Sequence, residues 1–382
     1  MSRAISLDSV IVPIKSADSS YLAPKARTIT PETLLNLPAI GIPIINYSPE
    51  STMELGAAAQ AYFQLPNQKR TSIVQLDGTY SLQNQWYINA QGNLYFGKKD
   101  HTTPYSWQLQ FRIGYSDRPS TYYGNGNQGN TDIGMLRTGS SYTLQRGYVT
   151  LHAPLAISKG WSVGPMADFL CAQYTLQSIP YTLHQYALGA VVQYDTRDVI
   201  FYPTHGIFFK LLLAAAYSTH ATEIIVPKSA ISGHISANLR QYIPLPRDLV
   251  IAWQFKSQWL ISPYSNSNIT MYPLLPRLGG QDGIRGVNSD MFRDDVMMSL
   301  QAELRIPLWK IFRATIFAGI GDVYDLHDWH WAIPKLGYGL GLRATINKAK
   351  VNIRLDIARS NVDPRWNNIN AYSFYLTATE AF

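Results

Sequence analysis

Alternation of apolar and polar residues over segments of about ten residues is the feature that most restricts how this chain can fold. In residues 105–115, every second side chain from Tyr105 to Tyr115 is apolar or aromatic, and the residues between them are polar or glycine. Residues 86–96 and 351–358 repeat the pattern. A strand that spans a bilayer needs about 9 to 11 residues, with apolar side chains towards lipid and polar side chains towards the lumen. The alternation therefore predicts membrane-spanning β-strands.

Helical membrane spans are excluded by the same sequence. A transmembrane helix needs roughly 20 consecutive apolar residues, and even the apolar segment 207–217 is short and contains Lys210. In lipid each backbone polar group needs a partner inside the protein, so the remaining structure that can span the membrane is a closed barrel. We therefore predict an all-β fold, a transmembrane antiparallel β-barrel of the bacterial outer membrane, with the lipid bilayer as its partner.

Composition separates this barrel from a soluble β-sandwich, whose strands also alternate. Charged residues make up 15% of the chain, below the roughly 25% of typical soluble domains. Aromatic residues make up 12%, including 25 Tyr and 9 Trp, as expected where rings anchor at membrane interfaces. The polar faces of the strands are rich in Gln, Asn, Ser and Gly, whereas the water-facing side of a sandwich would be rich in Lys and Glu. The composition favours the barrel.

Sixteen strands are predicted, an even number that places both termini on one side of the membrane. Their ranges are 39–47, 52–65, 70–83, 86–98, 105–118, 142–157, 161–177, 187–196, 207–218, 231–245, 249–262, 296–309, 312–325, 337–347, 351–362 and 372–382. Short connectors follow even-numbered strands, as periplasmic turns should; they are 66–69, 158–160, 246–248, 310–311 and 348–350. Long connectors follow odd-numbered strands and are predicted to be extracellular; they are 119–141, 219–230, 263–295, 326–336 and 363–371.

The first part of the chain differs from the rest. Residues 1–37 are rich in Ser, Pro and Thr and are predicted to form an irregular periplasmic tail before a barrel of residues 38–382. Residues 1–10 lack the charged and apolar regions of a signal peptide, so we expect that such a peptide is removed before this numbering begins. The single Cys171 excludes an intrachain disulfide and a cysteine-based metal site. The net charge of +7 is dispersed along the chain, so no nucleic-acid partner is expected.

A segment between predicted strands 11 and 12 resembles one known family. Residues 278–287, followed by Phe292-Arg293-Asp294, are similar to the long sixth extracellular loop of the bacterial surface-antigen barrels, the family of the BamA and TamA assembly factors. That loop carries a Val/Ile-Arg-Gly-aromatic motif and folds back into the barrel. The matching residues here are Ile284, Arg285, Gly286 and Val287, the last of which departs from the family's aromatic residue. The resemblance therefore implies that residues 263–295 enter the lumen.

Weaker matches follow the family's order along most of the chain. They are Tyr47–Glu50, Tyr122–Asn127, Asp195–Asp198 with Phe201–Gly206, and Gln301–Pro307. The C-terminal segment, with Phe374, Leu376 and Phe382 on one face, resembles the terminal signal strand that the outer-membrane assembly machinery reads, although Glu380 interrupts its apolar row. The resemblance implies that this machinery is a partner during biogenesis. It also implies a compact family member without periplasmic POTRA domains.

Charged residues on the inward phases of strands 12 to 15 form the candidate site. They are Glu303, Arg305, Arg313, Arg343, Arg354 and Asp356. Such residues line a polar channel, anchor an inserted loop, or neutralise one another in structural pairs. The family's Asp partner for the loop arginine is Gly319 here. We therefore expect Arg285 to pair with Glu303 instead, because arginine can bind a carboxylate through two parallel hydrogen bonds.

Enzymatic chemistry has no support in the sequence, which contains neither a Gly-x-Ser-x-Gly nucleophile motif nor a phosphate-binding loop before a helix. The segment His327-Asp328-Trp329-His330 lies in a predicted extracellular loop without further ligands, so it is interpreted as a solvated tip rather than a metal site. The glycine-rich run 124–129 is interpreted as a flexible loop. We expect no enzyme activity, no cofactor and no metal.

Three functions fit this barrel. The first is outer-membrane biogenesis or transport of an unspecified cargo, which the resemblance implies. The second is a structural or partner-dependent barrel that works through an accessory periplasmic or surface protein. The third is a passive pore for small solutes, past the charged wall of the lumen.

Overall fold

The chain folds into a closed antiparallel barrel of sixteen strands, seen in a computed structural model. The structure describes residues 39–48, 52–65, 70–97, 106–127, 140–176, 178–200, 202–222, 228–262, 269–281, 283–345, 352–362 and 372–377. The strands are β1 (Ala39–Ser48), β2 (Thr52–Phe63), β3 (Ser72–Ser81), β4 (Trp86–Phe96), β5 (Trp107–Tyr122), β6 (Ser140–His152, continued by Leu155–Ser158), β7 (Trp161–Leu176), β8 (Ile179–Asp195), β9 (Gly206–Thr222), β10 (Lys228–Pro244), β11 (Val250–Ile261), β12 (Val296–Trp309), β13 (Phe312–Tyr324), β14 (Lys335–Thr345), β15 (Asn352–Ser360) and β16 (Ser373–Thr377).

Each strand pairs with the next along the chain, and β1 pairs with β16 to close the sheet. In that closing seam, Ile45 lies opposite Leu376 and Tyr47 lies opposite Phe374. The first and last strands are thus joined within the described residues, and closure of the sheet is the condition for it to lie in lipid. The predicted fold class and the count of sixteen strands are therefore confirmed.

The largest difference from the predicted strands is at β8, which begins at Ile179 instead of residue 187. The predicted loop is instead a tight turn at Ser178, whose φ is 64°. The inward side chains Tyr181 and Leu183 are apolar and pack in a buried cluster with Tyr272. Thr182 and His184 on the other face are polar, so this part of β8 is the reverse of the apolar-out, polar-in pattern on which the prediction depends.

Strand β6 is interrupted at Ala153 and Pro154. Proline has no backbone N–H to donate to the sheet. The backbone of Gly164 on β7 approaches this break so closely that an added Cβ would lie 2.1 Å from the carbonyl oxygen of Ala153. The chain then resumes the same position in the barrel, where Leu155 pairs with both Trp107 and Val163. The two segments of β6 thus occupy one strand position in the barrel, as the single predicted strand does.

Strand β14 shows how the two faces of the wall differ. Its outward Leu336, Leu340 and Leu342 are 40%, 61% and 52% exposed, whereas the inward Lys335 and Arg343 are 1% exposed. A belt of such apolar side chains would be costly in water but matches the lipid-facing band of a transmembrane barrel. Aromatic pairs flank the band at the two ends of β4 and β5, where Trp86 contacts Tyr115 and Phe96 stacks on Trp107.

Within the described part of the chain, no helix has both the length and the apolar character needed to cross a membrane.

The segment between β11 and β12, here called the sixth loop (residues 262–295), packs against inward-facing side chains. Its Met271, Tyr272 and Leu275 share a buried cluster with side chains of β6, β7 and β8. A second buried cluster joins Leu278, Ile284, Val287 and Phe292 to Met297 on β12 and Val323 on β13. The apolar core of this protein therefore lies between the sixth loop and the inner wall.

Candidate functional site

A tight turn presents the loop motif to the inner wall. The backbone N–H of Val287 donates to the carbonyl oxygen of Ile284 at 3.2 Å, and Gly286, the third residue of the turn, has a φ of 93°. A Cβ on Gly286 would lie 2.6 Å from the backbone carbonyl of Arg359 on β15. Both the left-handed conformation and this close approach require glycine at position 286.

Two glycines on the wall make room for the turn. Ile284 is fully buried, and a Cβ added to Gly337 on β14 would lie 2.6 Å from its Cγ2. A Cβ added to Gly319 on β13 would lie 3.3 Å from the same atom. The sequence suggested only that Gly319 lacks a carboxylate, whereas the structure shows that its small size accommodates Ile284. Gln301 on β12 adds a hydrogen bond from Nε2 to the carbonyl oxygen of Gly283 at 2.6 Å.

Arg285 lies between two carboxylates. Its Nη1 donates to Oδ2 of Asp356 on β15 at 2.8 Å, and its Nη2 donates to Oε2 of Glu303 on β12 at 3.1 Å. The guanidinium carbon lies 3.6 Å from the centroid of the Phe317 ring on β13. The side chain of Arg285 is 1% exposed. The predicted contact with Glu303 is present in the structure, and the contact with Asp356 comes in addition to it.

Three further arginines share the same two carboxylates. Arg305 Nε donates to Glu303 Oε1 at 2.7 Å, and Arg343 Nη1 donates to Asp356 Oδ1 at 2.6 Å. Arg354 Nε lies 3.5 Å from Asp356 Oδ2. We call this group of six residues the lumen cluster; its members are Arg285, Glu303, Arg305, Arg343, Arg354 and Asp356. Every member is at most 1% exposed at its side chain, and arginines outnumber carboxylates by two.

Arg313 does not belong to the lumen cluster, although the sequence pattern groups it there. Its Nη1 donates to Thr345 Oγ1 at 2.8 Å, and its guanidinium lies 5.0 Å from the centroid of the Tyr202 ring. Both contacts lie at the end of the barrel where β13 begins and β14 ends. The phase of a strand predicts which way a side chain points, but it does not predict how far along the wall its partners lie.

Sequence reasoning missed the connection between the lumen cluster and the turn after β8 (residues 196–205). Arg305 Nη1 donates to the carbonyl oxygen of Pro203 at 2.8 Å, and its guanidinium lies 4.5 Å from the centroid of the Tyr202 ring. Tyr202 is 1% exposed. The sequence signal that could have predicted this contact is the pair Tyr202-Pro203. The family resemblance covered the whole segment Phe201–Gly206 and singled out neither residue.

Sequence reasoning also missed a contact between the outer loops. Lys335 Nζ donates to Asp322 Oδ1 and to the carbonyl oxygen of Asn127, both at 2.7 Å. The N–H of Gly126 donates to the carbonyl oxygen of Arg293 at 2.8 Å, and Asn127 Nδ2 donates to that of His330 at 3.0 Å. Gly126 and Asn127, in the run predicted to be a flexible loop, thus bind backbone groups of two other segments, and the flexibility of the run stays a prediction. Residues 128 and 129 lie outside the described residues.

The segment that contains His327 lies close to the carboxylate of Asp295, a contact that the sequence did not predict. The possible ligand atoms of Asp295, Asp325 and His327 lie within 4.8 Å of one another. The loop itself uses these carboxylates, since Asp325 Oδ1 accepts the N–H of His327 at 2.7 Å and Asp295 Oδ2 accepts that of Leu326 at 3.4 Å. The proximity of these three side chains is not sufficient to identify a metal site.

The terminal strand touches the loop motif. Tyr375 is 6% exposed and packs with Phe317 and Ala358, and its hydroxyl lies 3.5 Å from the N–H of Gly286. Phe374 and Leu376 have the opposite, outward phase on β16. The third residue of the predicted signal strand, Phe382, lies outside the described residues, so its role stays a prediction.

Solved structures with the same fold include a BamA barrel and two CdiB barrels. BamA from Haemophilus ducreyi lacking POTRA domains 1–3 is 12% identical, with a TM-score of 0.52, over 90% of this chain and 70% of that one. CdiB from Acinetobacter baumannii is 10% identical, with a TM-score of 0.53, over 88% of this chain and 59% of that one. CdiB from Escherichia coli is 14% identical, with a TM-score of 0.52, over 89% and 62%. The chain thus spans less than two thirds of the CdiB chains.

Sequence identities of 10–14% to these solved structures show a shared fold but not a shared family. The family is shown instead by a comparison of the sequence with family models. No curated protein matches the sequence. The Omp85 superfamily domain, in contrast, matches residues 68–382, which include the sixth loop, all of the lumen cluster and the terminal strand. The chain belongs to the Omp85 superfamily of barrels.

Proposed function

We propose that this chain is an integral protein of the bacterial outer membrane that acts in membrane biogenesis or in the transport of a cargo. Membership of the Omp85 superfamily supports this class of function. One observation on the chain itself carries the proposal, which is that Arg285 binds Glu303 and Asp356 at the same time. We infer no enzymatic role and no cofactor for it.

The Arg285 contacts hold the sixth loop beside the strand that closes the barrel. They tie the loop to β12 and β15, and the adjacent Gly286 reaches Tyr375 on β16. In the closing seam, β16 pairs with β1, and Ile45 lies opposite Leu376. The resemblance to the surface-antigen barrels implies that this seam is the part of the wall that separates. We propose that the seam is where the wall yields to a cargo, and that the clamped loop supports it from inside.

A passive pore is the second candidate, because the lumen also contains cavities of about 340 and 520 Å³. The sixth loop, which packs against the wall on several sides, reduces the open cross-section. Both functions are compatible with an accessory protein that binds the predicted periplasmic tail or the outer loops. We include such a partner in the proposal.

The proposal is tested by replacing the chromosomal copy with the R285M variant and measuring the outer-membrane and secreted proteomes. Arg313→Met is the matched control, because it also removes an inward arginine but lies outside the lumen cluster. We expect R285M, at equal amounts of folded barrel, to deplete particular outer-membrane or secreted proteins, and R313M to leave them unchanged. Unchanged proteomes in a complete deletion strain would reject biogenesis and cargo transport together.

The pore candidate is tested separately in planar bilayers. A steady conductance of the purified wild-type barrel that increases when the sixth loop is deleted would favour a pore. If the barrel does not conduct and the deletion strain loses membrane proteins, the pore is excluded and biogenesis or cargo transport is supported.

A further inference from the structure

The loop between β13 and β14, here called the seventh loop (residues 325–334), folds over the outer face of the wall. Val296, at the start of β12, lies opposite Trp259 on β11 and Tyr324 on β13, so the three side chains share one face. That face is outward, because the next residue, Met297, packs in the buried cluster of the sixth loop and side chains alternate along a strand. Val296 is nevertheless 0% exposed. An outward side chain is thus covered by protein.

Trp329 of the seventh loop bridges the two rings that flank Val296. Its ring stacks on that of Tyr324, with centroids 4.1 Å apart and planes 7° from parallel. Its centroid also lies 6.4 Å from that of Trp259. Trp331 meets the Tyr324 ring edge-on at 5.5 Å. Stacked and edge-on pairs are the favourable geometries of aromatic side chains, so these contacts hold the seventh loop against the outside of the barrel.

The other side of this aromatic cover is apolar and exposed. Trp331 and Ile333 are 79% and 58% exposed, and Trp329 is 40% exposed. The loop leads into Leu336, which has the outward phase on β14 and lies opposite Ile320 on β13. Leu336 and Ile320 are themselves 40% and 42% exposed. The exposed side chains of the seventh loop therefore continue the apolar outer belt beyond the ends of these strands.

The sequence of the seventh loop divides it into a polar half and an apolar half. Residues 325–328 are Asp-Leu-His-Asp, whereas residues 331–334 are Trp-Ala-Ile-Pro and contain no charged side chain. A contiguous apolar surface of this kind is unfavourable in water. Tryptophan is enriched where a membrane meets water, because its ring lies in apolar surroundings while its N–H reaches polar groups. The apolar half therefore suits a lipid surface.

We propose that the apolar half of the seventh loop is inserted into the outer leaflet of the bilayer, with Trp331 and Ile333 at the boundary between head groups and acyl chains. The sequence predicts a solvated tip for residues 327–330; the proposal keeps His327 in water and places Trp329 at the edge of the bilayer. The carbonyl oxygen of His330 accepts a hydrogen bond from Asn127 Nδ2 at 3.0 Å. The bilayer thus anchors the same segment that Asn127 binds.

This inference goes beyond the proposed role in biogenesis or cargo transport, and its test does not depend on that role. Spin labels are attached to the purified full chain in a Cys171→Ala background, in vesicles of phosphatidylcholine and phosphatidylglycerol. Ile333→Cys is the test position. Leu340→Cys on the lipid-facing wall and His327→Cys in the polar half are references, since both are similarly exposed, at 61% and 67%.

The measurement is the collision rate of each label with oxygen, which concentrates in the bilayer, and with a nickel chelate, which stays in water. We expect the ratio of the two rates at position 333 to lie nearer to that at position 340 than to that at position 327. A ratio equal to that at position 327 would overturn the proposal by placing the loop in water. Low collision rates with both reagents would also overturn it, since the loop would then pack on protein. Heat-dependent migration on gels verifies that each variant is folded.

Trp331 offers a second readout that needs no label. The fluorescence lost in the Trp331→Phe variant is the contribution of this ring. We expect brominated phosphatidylcholine in the vesicles to quench most of that contribution, and iodide in the surrounding water to quench little of it. The reverse result, with quenching by iodide and none by the brominated lipid, would reject insertion of the seventh loop.

Discussion

Arg285 and Glu303 meet through Nη2 and Oε2 at 3.1 Å, although one belongs to the sixth loop and the other to the barrel wall. Glu303 uses its other oxygen for Arg305, 2.7 Å away, and Arg305 binds the carbonyl of Pro203. A chain of contacts therefore runs from the loop motif through β12 to the turn after β8. Because the four arginines of the lumen cluster share two carboxylates, the carboxylates are the scarcer component.

This imbalance predicts that Glu303→Gln destabilises the barrel more than Arg285→Met. Removing Glu303 deprives Arg285 and Arg305 of their shared anion, and an uncompensated buried charge costs about 3 to 5 kcal/mol. Removing Arg285 leaves both carboxylates bound by other arginines, so we expect a smaller cost of about 1 to 3 kcal/mol. Urea unfolding in detergent micelles measures both, with R313M as the control. A cost for R285M equal to that for E303Q would show that carboxylate supply is not what limits the cluster.

The loop turn gives a second prediction, based on two glycines with similar conformations. Gly286 and Gly280 have φ values of 93° and 91°, so alanine at either position incurs a similar conformational cost of about 1 to 2 kcal/mol. An added Cβ meets backbone at 2.6 Å at Gly286, but only the Ser289 Cβ at 3.0 Å at Gly280. We expect G286A to expose the sixth loop to limited proteolysis and G280A to leave it largely protected. Equal cleavage of the two variants would mean that the approach to Arg359 is not needed.

Most of the fold was predictable because it depends on one local rule. In a transmembrane strand lipid and lumen select opposite side chains, so segments such as β5 reveal their orientation residue by residue. The rule failed at Tyr181 and Leu183, where the inward partner is an apolar loop rather than water. The inward phase of Glu303 and Asp356 was also readable, since the same alternation sets it.

The details of the site were less predictable, because they depend on contacts between distant segments. Asp356 on β15 binds Arg285, 71 residues earlier, and no local pattern signals that pair. The expectation for Gly319 considered only the charge that it lacks, whereas the space it leaves is taken by Ile284. Arg313 has the right phase but lies too far along the wall to join the cluster.

Gly319→Asp follows as a third prediction, since it restores the residue type that the family places there. The added Cβ would lie 2.8 Å from Gln301 Cγ and 3.3 Å from Ile284 Cγ2. We expect the carboxylate to displace Ile284 and to lower the free energy of unfolding by about 1 to 3 kcal/mol, as overpacking commonly does. Gly233→Ala, where the nearest atom is 3.6 Å away, is the control and is expected to change little. A more stable G319D would mean that Arg285 prefers the restored partner to Glu303 and Asp356.

The last prediction concerns Asp294, in the sixth loop just before β12. Burial, followed by the nearby charges of Asp325 and Asp295, raises the pKa of Asp294 from 3.8 to about 7. A carboxyl group with a raised pKa in the folded state binds its proton more tightly there than in the unfolded chain. Its ionisation therefore opposes folding. This opposition is absent below pH 3.8 and grows as the pH rises towards about 7.

We accordingly expect the loop to become easier to open as the pH rises from about 4 to about 7, through ionisation of Asp294. Hydrogen exchange of the sixth loop, measured across this range and corrected for the intrinsic pH dependence of exchange, monitors the opening. Asp294→Asn removes the titrating group with little change in size, so the difference between wild type and variant isolates its contribution. If opening in D294N depends on pH as steeply as in the wild type, another group controls the loop, and Asp294 is ionised at little cost.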